Sequence, residues 1–276
     1  MKVSVLSMFR DSEGYVRDAL RRLSALENQN PSIAFKYSFY ENDSTDNTVG
    51  IVKEWLSARD GDLLSESLGK PKFSQSAAVE RQIDMTNYRN KMLSVARPLD
   101  SDYSIILDSD VLFDEHIISK YLPHFADGIA MVTPNVLQNI KCQMSDEARE
   151  SYYDSFALID RFGNGGMTWA SNPFFNTEDR ARWERGKPVE VRSAFGGCPM
   201  IKSSILNEVS WSTDGGCEHW NFCRDVSSYG KILVAPNVIT RVSLSDAVIN
   251  GISPSHMRGV IEKQKQLLPL LAEMCK

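Results

Sequence analysis

The sequence predicts an α/β fold, a mostly parallel sheet flanked by helices. Strand-like and helix-like segments alternate through residues 1–135, and two of the apolar strands run directly into polar turns rich in carboxylates. Val3 to Ser7 forms the first candidate strand. Val16, Ala19, Leu20, Leu23 and Leu26 then recur at helical spacing, with Asp11 or Ser12 as N-cap and Pro31 as terminator. Phe35, Tyr37 and Phe39 alternate with Lys36, Ser38 and Tyr40 as a second strand. Val49, Val52, Trp55 and Leu56 mark a second helix, for which Ser44 or Thr45 would suit the N-cap.

Gly61 to Ala77 is polar and rich in small residues, and reads as a loop. A third helix resumes near Ile83 and carries Met85, Tyr88, Met92 and Val95 on one face until Pro98, and Tyr103 to Leu107 follows as a short buried strand. Beyond Pro134 the alternation weakens. A helix is expected around Asp146 to Asp160, then a Gly- and Asn-rich stretch from Gly163 to Gly166, and a polar segment reaching about Glu190. Asp214-Gly215-Gly216-Cys217-Glu218 precedes a helix with Phe222, Val226 and Tyr229 on one face, stopped by Gly230. Lys231 to Ala235 reads as the last strand, and a terminal helix is expected from Pro254, interrupted by Pro269.

Composition narrows the function classes. At 276 residues, 42% hydrophobic and 24% charged, the chain has the make-up of a globular protein. A net charge of −5 lacks the broad positive field of a nucleic-acid binder, so any phosphate is expected to be held locally. The cysteines at 142, 198, 217, 223 and 275 are odd in number and lack CxxC spacing, against a zinc knuckle or a disulfide framework. With no signal-peptide pattern after Met1 and no apolar run of membrane-spanning length, a cytoplasmic location is expected.

Four clusters carry chemical potential. Asp108 and Asp110 flank Ser109 at the end of a buried strand, where ligands of open α/β sheets bind. If the strand geometry persists, their carboxylates point the same way and suit one hard cation such as Mn2+ or Mg2+. Glu41, Asn42 and Asp43 end the second strand. Part of that run is a helix start, but its acids also suit hydrogen bonds to a base or ribose. Arg89, in Tyr88-Arg89-Asn90, is either a solvated helix charge or a bidentate partner for a diphosphate. Glu218 complements a helix N-terminus and also suits general-base or charge-stabilising work. His219 and His256 are weaker candidates as metal ligands.

Five stretches in order resemble the GT-A glycosyltransferases, and among them the fungal capsule-associated α-1,3-mannosyltransferase family. They are Tyr40 to Thr48, Tyr88 to Asn90, Leu107 to Phe113, Tyr152 to Asp160 and Cys217 to Asp225. The resemblance implies a metal-dependent hexosyltransferase using a nucleoside-diphosphate sugar, GDP-sugar ahead of UDP-sugar and mannose ahead of other hexoses, with a glycan or similar acceptor. It implies one GT-A domain over 1–276, with a nucleotide-sugar half (1–135), an acceptor half (136–250) and a C-terminal helix (251–276). It also implies Ser7, Met8, Phe9, Arg10, Glu41, Asn42, Asp43, Arg89, Asp108 and Ser109 around the donor. Asp108 and Asp110 would hold Mn2+ or Mg2+, with His256 as a further ligand. Glu218 and Asp110 would be catalytic, and Phe195, Gly196, Gly197 and His219 would line the acceptor side. Ala194-Phe195-Gly196-Gly197 departs from the Cys-Trp-Asn-Gly-like loop of such enzymes. The family resemblance favours retention at the anomeric carbon, whereas inversion would make Glu218 the base. A sugar-phosphate nucleotidyltransferase is disfavoured because Ser7 to Asp11 contains no glycine. An inactive carbohydrate- or nucleotide-binding relative stays open.

Overall fold

The structure is a computed structural model and describes residues 1–72, 78–142, 148–242 and 247–249. Its first half alternates β1 (Lys2–Phe9), α1 (Glu13–Gln29), β2 (Ala34–Asn42), α2 (Thr48–Leu56), β3 (Gly61–Glu66), α3 (Val79–Ala96) and β4 (Tyr103–Asp108). Then come β5 (Val111–Leu112), α4 (Ile117–Tyr121), β6 (Ile129–Cys142), β7 (Ala148–Tyr152), β8 (Ile159–Asp160), α5 (Thr177–Glu184) and β9 (Val189–Ser193). β10 (Met200–Lys202), α6 (Ser203–Leu206), α7 (Glu218–Val226), β11 (Lys231–Val242) and β12 (Ala247–Ile249) complete the described elements.

One sheet runs through both halves in the order β3-β2-β1-β4-β10-β6-β11-β9-β8. β3, β2, β1 and β4 are mutually parallel, β10 inserts antiparallel between β4 and β6, and β11 again runs parallel to β6. Because strand side chains alternate, each strand feeds two layers. Val3, Val5, Tyr37, Phe39, Ile105 and Leu107 face the layer of α1, α2 and α4. Leu6, Tyr40 and Ile106 face the layer of α3 and α7. The five apolar residues expected to bury one face of α1 are all buried.

Several expectations need correction. Residues 61–66 are not loop but edge strand β3, whose Gly61 lies against Tyr37, where a Cβ would come within 2.7 Å of the Tyr37 backbone oxygen. The helix expected over 146–160 is β7 followed by a turn and β8; Tyr152 and Leu158 are buried there without helical periodicity. Tyr229 is 51% exposed, so it does not belong to the buried face assigned to it. Polar Gln82, Asp84, Thr86 and Arg89 are buried on α3. Lys231–Ala235 is only the start of β11, which passes Pro236 through an irregularity between Ala235 and Ile239, and β12 follows it. The expected C-terminal helix lies outside the described residues, as do the last residues of the expected 61–77 loop.

None of Ser12, Ser44 and Thr45 caps a helix with its own side chain. The turns after β1 and β2 cap each other. Asp46 Oδ2 accepts the Glu13 amide at 2.9 Å, and Glu13 Oε2 accepts the Asn47 amide at 3.0 Å. Asp11 Oδ1 accepts the Thr45 amide at 2.8 Å, and Thr48 Oγ1 accepts the Ser12 amide at 2.7 Å. Four backbone amides at and before the two helix starts are thereby satisfied across, rather than along, the chain. Among the described residues no helix is long and apolar enough to cross a membrane.

Asp46→Ala removes the partners of both Glu13 and Thr48. The expected loss is about 1–2 kcal/mol in urea unfolding, with Asp46→Asn intermediate; an unchanged midpoint would mean that the two turns are held by packing alone.

Candidate active site

The carboxyl ends of β1 and β4 open onto a cleft of about 620 Å³, closed on its far sides by α3, α7 and the turns after β7 and β9. β4 ends at Asp108, and Ser109 and Asp110 turn away from strand geometry. Both carboxylates nonetheless reach the cleft, with Ser109 between them.

Arg89 comes from the polar stripe of α3 and is only 3% exposed. Its Nη1 and Nη2 each donate to Asp108 Oδ1 at 3.2 Å, its Nε stands 3.5 Å from Glu218 Oε1, and its guanidinium lies 4.7 Å over the Phe195 ring. It is thus neither a solvated charge nor a free diphosphate clamp, but a buried cation shared by two acids. Burial lowers its proton affinity, but Asp108 and Glu218 outweigh that, so it stays charged.

The acids respond in different directions. Burial pushes Asp108 above its usual value despite Arg89. Burial, with Asp108 close by, pushes Asp110 up to about 6. Burial also acts on Glu218, but the charged Arg89 beside it helps to hold it below the usual range. The His219 ring stacks on Phe195 at 3.7 Å between centroids, and burial pushes its pKa down to about 3, so the ring is neutral.

Gly196 and Gly197 hold left-handed φ values of 67° and 62°. The Gly196 amide donates to Asp154 Oδ2 at 2.7 Å, and the Gly197 carbonyl accepts the Asp108 amide at 2.7 Å. A Cβ on Gly197 would sit 2.6 Å from Val111 Cγ2 and 3.1 Å from Asp108 Oδ2. The two glycines let this turn press against two acids at once.

The structure brings Met8, Phe9, Arg10, Asn42, Arg89, Asp108, Ser109, Asp110, Phe195, Gly196, Gly197, Glu218 and His219 to one cleft. Three expected donor residues are engaged elsewhere. Ser7 is fully buried and donates to the Leu107 carbonyl at 2.7 Å. Glu41 accepts from the Ser44 amide and the Ser65 hydroxyl, at 2.7 and 2.6 Å. Asp43, at φ 56°, accepts the Leu68 and Gly69 amides. These two acids hold the β2 and β3 ends together. Arg10 lines the cleft while donating to the Lys70 and Pro71 carbonyls. His256 lies outside the described residues.

Sequence reasoning assigned no role to Asp154, Tyr153 or Arg81, which also line the cleft. Burial pushes Asp154 up to about 7. The available signal was Tyr152-Tyr153-Asp154 within a resembling stretch, hidden because the region was read as a helix.

A family model described as Cryptococcal mannosyltransferase 1 matches residues 17–225, which holds β1's last partner strands, the Asp108 turn and α7. The chain belongs to this family. It is a glycosyltransferase, and the parallel sheet with its carboxylate turn is the GT-A fold. No curated protein matches it by sequence. Among solved structures, a mannosyltransferase from Pyrobaculum calidifontis in complex with GDP-Man and Mn2+ aligns with a TM-score of 0.53 at 12% identity, covering 98% of this chain and 72% of that one. TarS from S. aureus aligns at a TM-score of 0.50 and 14% identity, over 97% of this chain but 39% of its own. TarS 1-349 in complex with UDP gives 0.50 at 14%, over 96% and 65%. At these identities the likeness is one of fold.

Two outcomes are expected. Gly197→Ala forces a left-handed alanine, costing about 1–2 kcal/mol before the Val111 overlap is counted, so its melting temperature should fall; an unchanged value would mean the turn relaxes freely. The second concerns pH. Asp154 binds its proton more tightly folded than unfolded, so between about pH 4 and about 7 the native state carries the extra proton and stability falls as pH rises. Asp154→Asn should flatten that part of the melting-temperature profile, and an identical profile would refute the raised carboxyl.

Proposed function

We propose that this glycosyltransferase transfers a hexose from a nucleoside-diphosphate sugar, with GDP-mannose leading among donors, to a hydroxyl of a glycan acceptor, with Mn2+ or Mg2+ at Asp108 and Asp110. The observation that carries the reading is the adjacency of two poorly neutralised carboxylates to one buried guanidinium at the end of β4.

The donor set fits a hard cation. Asp108 and Asp110 supply oxygen ligands, and their raised proton affinities measure an unmet demand for positive charge that Arg89 only half answers. Among the described residues no group of three or more His, Cys, Asp or Glu is placed to hold a metal ion, so a cation at Asp108 and Asp110 would take its remaining positions from phosphate oxygens and water. When bound, such a cation neutralises charge on the departing diphosphate.

The chain's own residues then divide the work. Met8, Phe9, Arg10 and Asn42 stand at the β1 and β2 side of the cleft, where a nucleotide would extend from the carboxylates. Arg89 stays charged and fixes Asp108, so that the carboxylate need not reorganise when the donor arrives. Glu218 is held ionised at the other end of Arg89, facing the sugar side. Its low proton affinity suits stabilisation of positive charge at the anomeric carbon, and a retaining outcome is consistent with that. Phe195 and His219 form the apolar floor beneath it.

A thermal-shift screen of GDP-, UDP- and dTDP-sugars with Mn2+ or Mg2+ tests this directly, because a ligand of the native state raises its apparent stability. One donor should raise the melting temperature only with cation present. Asp110→Asn should abolish that shift and lower cation-stimulated donor turnover by about a hundredfold to a thousandfold. Equal turnover in Asp110→Asn across a metal titration would sink the assignment.

A further inference from the structure

The turn after β7 is held from four directions. The Gly196 amide donates to Asp154 Oδ2 at 2.7 Å, the Leu158 amide donates to the Asp154 carbonyl at 3.2 Å, and Trp220 Nε1 donates to the Phe156 carbonyl at 3.2 Å. From beneath, Gly166 packs so closely that a Cβ there would lie 2.9 Å from Ser155 Cα. The backbone is therefore fixed, yet the Phe156 ring at its tip is 48% exposed. That ring leans on Trp220, 5.5 Å between centroids at 46°, and lines the same cleft as Asp108, Asp110 and Asp154. Trp220 in turn has its place because position 216 is glycine, where a Cβ would meet its ring at 2.6 Å.

A large aromatic left half bare on a clamped backbone beside a carboxylate is a costly arrangement for stability alone, since an inward rotamer or a polar residue would remove the exposed apolar surface. It matches the chemistry of one ligand class. A pyranose presents an apolar face of C–H groups for an aromatic ring, and hydroxyls at its edge for a carboxylate.

The geometry points to Asp154 and Phe156 as an acceptor subsite that takes a pyranoside, its ring face on Phe156 and a ring hydroxyl donating to the Asp154 carboxyl. The inference rests on the donor-and-acceptor reading above and adds to it the residues that hold the acceptor sugar. Asp154 accepts the Gly196 amide through Oδ2 and lines the cleft. The high proton affinity that burial gives this carboxyl is relieved when a hydroxyl hydrogen bond replaces lost water.

Saturation-transfer NMR reads this subsite without turnover. The probes are methyl pyranosides of mannose, glucose, galactose and xylose, with GDP and Mn2+ present, and glycerol as a polyol without a ring face. At least one pyranoside should take saturation on its ring C–H protons. Phe156→Ala and Phe156→Leu should each lower it about tenfold, while Phe156→Trp retains it. Asp154→Asn should weaken the same signal, and glycerol should show none. Phe156→Leu keeps the apolar volume, so a folding defect in Phe156→Ala does not decide the matter. The subsite is overturned if no pyranoside is saturated, if glycerol is saturated equally, or if the leucine variant matches wild type. The donor reading is judged apart, by the nucleotide-sugar thermal shift of the wild-type chain: a shift without Phe156-dependent saturation sinks the subsite alone, and the reverse sinks the donor reading alone.

Discussion

A buried guanidinium cannot exist without carboxylates to meet it, and Arg89 is the constraint from which the site's geometry follows. Removing a charge from water costs several kcal/mol even after relaxation, so the charge must be paired and hydrogen-bonded. Asp108 at the end of β4 and Glu218 at the start of α7 supply the pairing, and Phe195 supplies a π face. A helix, a strand end, a second helix and a loop are thereby fixed relative to one point. None of these elements is adjacent to all the others in sequence. The two acids respond differently: Glu218, beside Arg89, is kept ionised, whereas Asp108 is pushed up by burial, which Arg89 does not fully offset.

The same logic explains the two glycines. The turn after β9 must pass close enough to give its Gly197 carbonyl to the Asp108 amide and its Gly196 amide to Asp154. Any side chain at 197 would occupy the space of Val111 and crowd Asp108 itself. Where the family resemblance led one to expect bulkier residues, the chain has a Phe-Gly-Gly turn that exchanges side chains for backbone donors and acceptors. Backbone groups are already desolvated in a turn and lose no rotamer freedom on binding, which makes them inexpensive ways to orient a carboxylate.

Much of the first half was legible in the sequence because its signals are periodic. Val16 to Leu26 repeat at helical spacing and bury as such, and the alternation of Phe35 to Phe39 marks a strand that is buried on both faces from Tyr37 onward. The place of Asp108 and Asp110 at a strand end was legible for the same reason. What failed lacks periodicity. β7 and β8 are short strands joined by a turn, and the buried Tyr152, Ala157 and Leu158 follow neither a strand nor a helix period. On α3 the apolar rule was incomplete: Gln82, Asp84, Thr86 and Arg89 are buried as well, because one flank of the helix faces a polar cleft rather than a core. The reciprocal capping of the turns after β1 and β2 was invisible for a different reason. Asp46 and Glu13 are partners only once two parallel strands lie side by side, and Glu41 and Asp43 looked like ligand-binding acids because nothing local shows that β3 runs beside them.

That buried polar stripe has a thermodynamic meaning. Gln82 Oε1 and Thr86 Oγ1 are buried without a hydrogen-bond partner among the described residues, both on the helix that carries Arg89. Asp110 and Asp154 face the same cleft with proton affinities raised by burial. Each of these groups makes the empty fold less stable than an apolar substitute would, and each is relieved by a ligand bearing positive charge, phosphate oxygens or hydroxyls in the right place. The strain is concentrated on one face of one helix and one strand end, while the opposite layer, from Val3 and Val16 to Tyr121, is an ordinary apolar core. Stability is thus supplied on one side of the sheet and given up on the other, which is the arrangement expected when binding free energy, not folding, is meant to complete the site.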